Sequence, residues 1–493
     1  MEGRFVLVVI WDGLRPDFVS PQVTPTLHHL AAGGVWFEAS HCAYPSETRV
    51  NATALATGCY PGRTGITANT LIVPGFDPAG RRHLANTGDH THLARLAELD
   101  GPLVHVPGVA DALAEAGGVM AVASSGSPGS AYLQNPRQDG ITVNPALLRP
   151  RWVEERVMAQ FGPPPAPSRP ATGRSAWIAH AVLDFLLPDV IRPAVQEGRP
   201  ALLHWWHTDP DHTAHTFGLG SRQTVQSLRE NDRWLAALHH RLHSLGLAEQ
   251  TDVLLTSDHG FSTAGVPQGF EQGLLDAGWR EAPHGEDLVT TGQGGGSIYL
   301  HRRAYDGAPR LVRWLQAQPW IGAIFARDDG PAAGVEGTLP LSAAWNGRLG
   351  PRAPDVKFSP GWTEEANAAG VPGTALAGNG RGASHGSASP YDMRNALFAW
   401  GPRFAQRVRS TTPAGIVDVA PTVCHLLGLP QLPADGRVLT EALDGQPDTA
   451  AAAFSEETHQ ASATWPGGRF QQRLFLARVG TTTYLRRVEA DHH

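Results

Sequence analysis

The sequence predicts an α/β fold with a doubly wound, mostly parallel sheet that is flanked by helices. The first observation is three continuous apolar runs at 5–11, 201–206 and 252–256, which are typical of strands covered on both faces. The second is that segments with helical spacing alternate with these runs. The third is the length of 493 residues, which allows a large core, while 55 Gly and 40 Pro indicate many loops.

Other elements follow from local signals. A helix is expected where Thr24 precedes Pro25, because Pro is favoured at the first helical position. Gly58 and Gly246 are expected to end two further helices. In chain order, the sequence predicts helices over 24–32, 47–56, 176–195, 222–246 and 415–427, strands over 35–39 and 395–400, and a hairpin near 468–487.

Two regions interrupt this alternation. Residues at about 76–175 are rich in Pro, Gly, Arg and His, and are interpreted as insertions outside the core. Weaker, glycine-rich elements at about 303–380 predict an inserted, cap-like subdomain. We therefore expect residues 1–493 to form a single catalytic domain that carries these insertions.

Composition excludes several classes of protein. With 39 basic against 46 acidic residues, the net charge of −7 argues against a general nucleic-acid binder, and Lys357 is the only lysine. Cys42, Cys59 and Cys424 give no disulfide framework and are expected to be buried thiols. No apolar stretch reaches the length of a membrane span, and the first one is too short for a signal peptide. A cytoplasmic location is the expectation.

Acidic and histidine residues stand where three predicted strands end. Asp12 ends the first strand, Asp211 and His215 follow the second, and Asp258-His259 follows the third. The carboxyl ends of parallel strands meet at one edge of a sheet, which is where such folds bind ligands. Asp and His together suit a borderline cation such as zinc. His385, in a glycine-rich loop, is a further candidate ligand.

A candidate nucleophile lies in the segment 44–51, before the helix expected to end at Gly58. A hydroxyl at a helix start feels the positive end of the helix dipole and can be activated by a bound cation. Spacing alone leaves Ser46, Thr48 and Thr53 as alternatives.

Taken together, these motifs resemble the alkaline phosphatase superfamily, and most closely its type I phosphodiesterase/nucleotide pyrophosphatase branch. The resemblance covers Val6 to about Leu443 without the insertions. It rests on Trp11-Asp12-Gly13 with Arg15 and Asp17, Thr24-Pro25-Thr26-Leu27, Pro45-Ser-Glu-Thr48, Thr57-Gly58-Cys-Tyr60-Pro61 with Gly65-Ile66 and Asn69, Pro210-Asp211 with His215, Ser257-Asp258-His259-Gly260, His385-Gly386, and Val417-Asp418-Val-Ala-Pro421-Thr422 with Leu427-Gly428.

The resemblance implies a phosphoester hydrolase with two metal ions, usually zinc, with manganese as an alternative. It assigns one ion to Asp211, His215 and His385, and the other to Asp12, Thr48, Asp258 and His259. Thr48 would be the nucleophile that forms a covalent phospho-threonine, and Asn69 would donate to a phosphoryl oxygen. The expected partner is a small anionic phosphoester or phosphonate, neither a nucleic-acid polymer nor a membrane. The sequence leaves the oligomeric state open, with a homo-oligomer as one of the alternatives.

One departure from the branch bears on the substrate. Arg49 stands where the branch often has an aromatic residue that stacks on a nucleobase, and a guanidinium would instead bind a phosphate or carboxylate. A phosphomonoesterase, a phosphomutase and a phosphonoacetate hydrolase-like enzyme that cleaves a C–P bond are therefore alternatives. The last would need an arginine in place of its lysines, such as Arg81, Arg82 or Arg137. A sulfatase is disfavoured because Cys42 lacks the required downstream Arg, and the complete ligand set argues against a non-catalytic binding protein.

Overall fold

A computed structural model describes residues 4–73, 76, 84–279, 288–291, 295–380, 382–445 and 453–493. Arg81 and Arg82 lie outside the described residues. Within these ranges, every helix is too short or too polar to cross a lipid bilayer.

The largest sheet has nine strands, and its central strands are parallel. The strands are β1 (Phe5–Trp11), β2 (Val35–Phe37), β3 (Val119–Ser124), β4 (Ile141–Asn144), β5 (Leu147–Arg149), β6 (Ala201–His207), β7 (Thr251–Thr256), β8 (Leu397–Trp400) and β9 (Val408–Ser410). Their order in the sheet is β9-β2-β8-β7-β1-β6-β3-β4-β5. Strands β7, β1, β6, β3 and β4 run parallel, while β8 is antiparallel to β7 and β5 is antiparallel to β4.

Strand β1 shows why the apolar runs become central strands. All seven of its side chains are buried. Val8 packs into the hydrophobic cluster on one face of the sheet and Leu7 into the cluster on the other, as the alternation of side chains along a strand requires. Each such side chain contributes about 1.5–3 kcal/mol when it is fully buried. A run without polar residues is therefore stable only in the middle of the sheet.

Helices cover both faces of this sheet. Gly58 ends the second helix in the left-handed conformation, with a φ of 71°, as the sequence predicts. The helices of seven or more residues are α1 (Pro25–Gly33), α2 (Thr48–Thr57), α3 (His90–Asp100), α4 (Val109–Glu115), α5 (Pro128–Gln134), α6 (Arg151–Phe161), α7 (Thr172–Ala181), α8 (Asp211–Phe217), α9 (Arg222–Ser244), α10 (Phe270–Asp276), α11 (Ala308–Gln316) and α12 (Val419–Leu427). After α7 the chain stays helical through the wider turns of Val182–Ile191 and through Arg192–Gln196.

The interpretation of 76–175 as lying outside the core is wrong for residues 119–149. Strands β3, β4 and β5 belong to the main sheet, and β3 pairs with β6 over six residues. These strands are short and are surrounded by Gly and Pro, so their apolar signal is weak. The division of the chain into domains stays a prediction.

A second, five-stranded sheet precedes and overlaps the predicted cap. It comprises Leu288–Thr291, Gly296–Leu300, Ile321–Ala326, Leu339–Pro340 and Val356–Pro360, so it begins earlier in the chain than predicted. Helix α11 packs on it through Leu311 and Leu315.

The hairpin predicted near 468–487 is confirmed, and an additional strand extends it into a three-stranded antiparallel sheet. Its strands are Ser455–Trp465, Gly468–Val479 and Thr482–His492. The sheet is tied to the five-stranded sheet, because the Gln472 side chain exchanges two hydrogen bonds of 2.9 Å with the Ile324 backbone.

Candidate active site

The parallel strands bring three acidic residues together at their carboxyl ends. Asp12 directly follows β1, Asp211 begins α8 shortly after β6, and Asp258 follows β7. Two backbone hydrogen bonds of 3.0 Å fix Asp12 and Asp211 relative to each other. The Asp12 N–H donates to the His207 carbonyl, and the Asp211 N–H donates to the Asp12 carbonyl. The neighbouring positions of β7, β1 and β6 in the sheet therefore fix the spacing of these carboxylates.

One group of metal-ligating side chains consists of Asp211, His215 and His385, which we call the Asp211 cluster. The Asp211 Oδ1 atom lies 3.2 Å from His215 Nε2 and 3.3 Å from His385 Nε2. Asp211 and His215 share one face of α8, as their spacing predicts. His385 joins them because Ala383–Ser384 pairs with Ser262–Thr263, which follows β7.

A second group consists of Asp12, Asp258 and His259, which we call the Asp258 cluster. His259 Nε2 lies 3.2 Å from Asp258 Oδ2 and 3.5 Å from Asp12 Oδ1. All three side chains are buried. The two clusters adjoin, since the rings of His259 and His385 are stacked with their centroids 3.7 Å apart.

Backbone carbonyls fix the orientation of all three imidazoles. His215 Nδ1 lies 2.9 Å from the Ala383 carbonyl, His259 Nδ1 2.8 Å from that of Gly260, and His385 Nδ1 2.7 Å from that of Ser46. A carbonyl only accepts, so each Nδ1 carries the proton and donates it. A neutral imidazole then presents the lone pair of Nε2, which is the arrangement that metal-binding histidines adopt.

The carboxylate oxygens that face these nitrogens support the same interpretation. Asp12 Oδ1, Asp211 Oδ1 and Asp258 Oδ2 are buried, and apart from the facing imidazoles they have no hydrogen-bond donor among the described residues. A lone pair facing a carboxylate oxygen is repulsive unless a proton or a cation lies between them. The donor set of both clusters therefore fits a divalent cation of the zinc type.

The pKa values separate the two clusters. Burial raises the pKa of Asp12, and the charge of Asp258 raises it further. Burial also raises the pKa of Asp258. Burial acts to raise the pKa of Asp211, but His215, His385 and His259 together outweigh burial and lower it. Burial and the nearby His259 lower the pKa of His385, so this imidazole is neutral and available as a ligand.

Thr48 is the candidate hydroxyl that faces the clusters. It is the first residue of α2, lines the cleft, and its Oγ1 lies 3.4 Å from His259 Nε2. The other two candidates are engaged elsewhere. Ser46 Oγ donates to the Ser387 carbonyl at 2.8 Å, and Thr53 Oγ1 donates to the Arg49 carbonyl at 2.8 Å.

The turn before Thr48 is held by a residue that sequence reasoning did not single out. Asn51 Oδ1 accepts from Ala43 N–H at 2.7 Å, and its Nδ2 lies within 3.3 Å of the carbonyls of Ala43, Pro45 and Glu47. A buried Asn one turn after a candidate nucleophile is a usable signal, because such an amide is stable only when it is fully hydrogen-bonded.

Asn69 and Arg49 lie beside Thr48 in the cleft. Asn69 Oδ1 accepts from the Arg49 backbone N–H at 3.1 Å, and the Asn69 backbone N–H donates to the Glu47 carboxylate. The amide Nδ2 of Asn69 has no hydrogen-bond acceptor among the described residues and is open to a ligand. The Arg49 guanidinium packs against Gly88, and its Nε atom is buried without a hydrogen-bond partner among the described residues.

The cleft above the clusters has a volume of about 810 Å³, which is in the range of small-molecule sites. Lys357 and Arg137 are not among the described residues that line it. Lys357 is buried and donates to Ser297 Oγ at 3.0 Å, and burial lowers its pKa. Arg137 forms ion pairs with Asp139 and Asp111.

Three further residues near the clusters were missed from the sequence. Trp206 Nε1–H donates to Asp12 Oδ2 at 3.0 Å and so orients that carboxylate. The ring of Phe261 lies 5.0 Å from His215 and 5.1 Å from His385, centroid to centroid. Arg174 of α7 lines the cleft. Only the fold reveals these contacts, because each joins segments distant in sequence.

Comparisons with known proteins identify the family and the fold. The model of the type I phosphodiesterase / nucleotide pyrophosphatase family matches residues 6–356. The bis(5'-adenosyl)-triphosphatase ENPP4 of Bos taurus is 22% identical over 438 residues, which is 87% of this chain and 80% of that protein.

Two solved structures share the fold over most of the chain. Murine ectonucleotide pyrophosphatase / phosphodiesterase 5, an inactive variant in complex with AMP, matches with a TM-score of 0.63 and 17% identity, over 90% of this chain and 100% of that one. A mutant of alkaline phosphatase PafA matches with a TM-score of 0.65 and 15% identity, over 90% and 99%. The predicted alkaline-phosphatase-like α/β fold is thereby confirmed.

Proposed function

Because this chain belongs to the type I phosphodiesterase / nucleotide pyrophosphatase family, whose members are phosphoester hydrolases, we propose that it hydrolyses a small anionic phosphoester through a covalent phospho-threonine at Thr48. We further propose that two zinc ions serve the reaction, with manganese as an alternative. The observation that supports the proposal is the position of Thr48 Oγ1, 3.4 Å from His259 Nε2, where two clusters of candidate metal ligands adjoin.

The residues divide into two ligand sets. Asp211, His215 and His385 would hold one cation, and Asp12, Asp258, His259 and the Thr48 oxygen would hold the other. When bound, two such cations supply the charge that activates a hydroxyl nucleophile and neutralises the leaving oxygen in phosphoryl transfer.

The protein groups around Thr48 position the reaction. Thr48 Oγ attacks phosphorus, the new Oγ–P bond forms, and the bond from phosphorus to the leaving oxygen breaks in line with it. Asn69 Nδ2 and the Arg49 guanidinium donate to the non-bridging phosphoryl oxygens. Water then cleaves the phospho-threonine and restores the hydroxyl.

The charge balance of the site favours an anionic substrate. Three aspartates contribute −3 against +4 from two divalent cations, and the charges of Arg49 and Glu47, which both line the cleft, offset each other. The helix that begins at Thr48 acts in the same direction, because α2 directs the positive end of its dipole at the phosphoryl group.

Replacement of the nucleophile tests this proposal. We expect Thr48→Ala to lower kcat on an aryl phosphodiester and an aryl phosphomonoester by about 10⁴-fold or more, because the other two candidate hydroxyls, Ser46 and Thr53, are bonded to backbone carbonyls. Thr48→Ser, which keeps the hydroxyl, should retain a measurable part of the activity. Acid quenching with a ³²P-labelled substrate should trap label on the peptide that contains Thr48. Full activity of Thr48→Ala, or label on another residue, would refute the assignment.

A further inference from the structure

The walls of the cleft differ from a nucleobase pocket. Among the described residues that line the cleft, none is Phe, Trp or Tyr. Hydroxyl and amide groups supply much of the surface beyond the clusters, from Thr70, Asn86, Ser125, Ser127, Ser168 and Thr208. Bases and other flat apolar groups are usually bound on aromatic faces, so these walls suit a polar, non-aromatic group.

Two arginine side chains supply positive charge to the walls of the cleft. Arg49 and Arg174 both line it, and neither forms an ion pair with an acidic side chain in the part of the chain that the structure describes. Arg174 Nε donates to the Pro165 carbonyl at 3.1 Å. This bond holds the stem of the side chain and leaves both terminal nitrogens of the guanidinium for a ligand. A guanidinium fork of this kind matches a carboxylate or a phosphate.

The two arginines are carried by segments that contact different clusters. Arg49 directly follows Thr48, whose Oγ1 lies 3.4 Å from His259 of the Asp258 cluster. The segment that carries Arg174 is tied to the turn that carries Asp211. Ala171 N–H donates to Asp209 Oδ2 at 2.7 Å, and Arg169 Nε donates to the His212 carbonyl at 3.3 Å.

This division assigns Arg174 to the leaving group. In an in-line displacement the leaving oxygen departs on the side of phosphorus that faces away from the nucleophile. Thr48 lies beside the Asp258 cluster, so the leaving oxygen belongs with the Asp211 cluster, next to the wall that carries Arg174. Arg49 is then free to bind the transferred phosphoryl group.

We propose that Arg174 binds an anionic group on the leaving group, and that the preferred substrate is a phosphoester whose leaving group is non-aromatic and carries its own carboxylate or phosphate. This inference rests on the proposed function, because it assumes that Thr48 attacks from the side of His259. It makes Arg174 a specificity-determining residue, separate from the groups that hold the cations.

A matched pair of substrates tests the inference. Glycerol 3-phosphate and 3-phosphoglycerate differ in a hydroxymethyl group against a carboxylate, and glycerol 1,3-bisphosphate carries a phosphate at the same position with the same type of ester bond. With zinc-loaded protein we expect kcat/KM to favour at least one of the two anionic leaving groups over glycerol by about tenfold or more, since hydrogen bonds to charged groups are strong. A higher kcat/KM for 3-phosphoglycerate shows that the site binds a carboxylate, and a higher kcat/KM for the substrate with a second phosphate shows that it binds a phosphate.

Variants of Arg174 complete the test. Arg174→Gln should bring the ratio of kcat/KM between anionic and neutral leaving groups close to one, mainly by raising the KM of the anionic substrates. Arg174→Lys should keep part of the preference. Arg229→Gln, an exposed arginine on α9, is the control and should keep the full preference. Equal kcat/KM values for all three substrates, or an unchanged preference in Arg174→Gln, would overturn the inference although aryl esters are still hydrolysed. Loss of all phosphoester hydrolysis in zinc-loaded wild-type protein would instead overturn the proposed function, and the inference with it.

Discussion

The two clusters use the same kinds of residue but balance their charges differently. The Asp211 cluster has one carboxylate and two imidazoles and opens to the cleft, with 29% of the His215 side chain exposed. The Asp258 cluster has two carboxylates and one imidazole, and the side chains of Asp258 and His259 are fully buried.

The difference is visible in the pKa values. The pKa of His215 is raised although burial acts to lower it, because Asp211 stabilises the protonated ring. A proton on His215 can therefore replace the cation in the Asp211 cluster. The Asp258 cluster contains two carboxylates whose pKa values are both raised by burial. A buried site of this kind is stable in its ionised form only with a cation.

The largest expected difference between the two clusters comes from removing a carboxylate of the buried one. Asp258→Asn should lower kcat on an aryl phosphoester by about 10³-fold, because a cation is worth several kcal/mol of charge stabilisation next to the proposed nucleophile. Asp211→Asn should also lower activity, but excess zinc should restore more of it, since two imidazole ligands remain. Kinetic assays across a range of zinc concentrations compare the two variants.

The control for this comparison is Asp252→Asn. Asp252 is a buried carboxylate on β7 that pairs with Arg403, away from both clusters. Its replacement should lower thermal stability without changing the zinc dependence of activity. Identical zinc dependence in Asp258→Asn and Asp211→Asn would remove the distinction between the clusters.

A smaller effect is expected in the pH dependence of stability without metal. A carboxyl whose pKa is raised by folding favours the protonated form, so its ionisation destabilises the folded state by about 1.4 kcal/mol for each tenfold change in its acid dissociation constant. This cost is absent below the unfolded pKa of about 4 and grows as the pH rises through the folded pKa. The raised pKa of His215 acts in the same direction, since its contribution is present at low pH and lost at higher pH.

We therefore expect Asp258→Asn, which removes one of the raised carboxyls, to make the slope of melting temperature against pH between about 4 and 8 more positive than in the wild type, with both proteins treated with chelator. The comparison uses the variant because burial also lowers the pKa of His204, His207 and His385, whose contributions change in the opposite direction with pH. Zinc should reduce the difference between the two slopes, and differential scanning fluorimetry at fixed ionic strength measures both. Identical slopes in the two metal-free proteins would contradict the raised pKa of Asp258.

The sequence was most informative where a single physical signal dominates. The apolar runs that become β1, β6 and β7 can pack only in a covered sheet, and the parallel rule then brings Asp12, Asp211 and Asp258 to one edge. The grouping of the candidate ligands could be anticipated because each stands at a strand end or in a marked loop.

Other features depend on contacts that no local pattern contains. The carbonyls of Ala383 and Ser46, which orient His215 and His385, come from segments far away in sequence. The strand Ser455–Trp465 was missed because most of its side chains are exposed and polar, so it lacks the apolar alternation of a half-buried strand. Arg174 has no distinguishing signal in the sequence, and its proposed role rests on its position in the lining of the cleft.

The central claim is that two adjoining clusters each bind one divalent cation, and metal content tests it most directly. After equilibration with zinc and removal of free metal, elemental analysis should give two zinc ions per chain for the wild-type protein. Thr48→Ala should keep at least the zinc of the Asp211 cluster, and Asp258→Asn should retain one. A wild-type protein that binds no zinc, or an Asp258→Asn variant that retains two equally tight ions, would contradict the account.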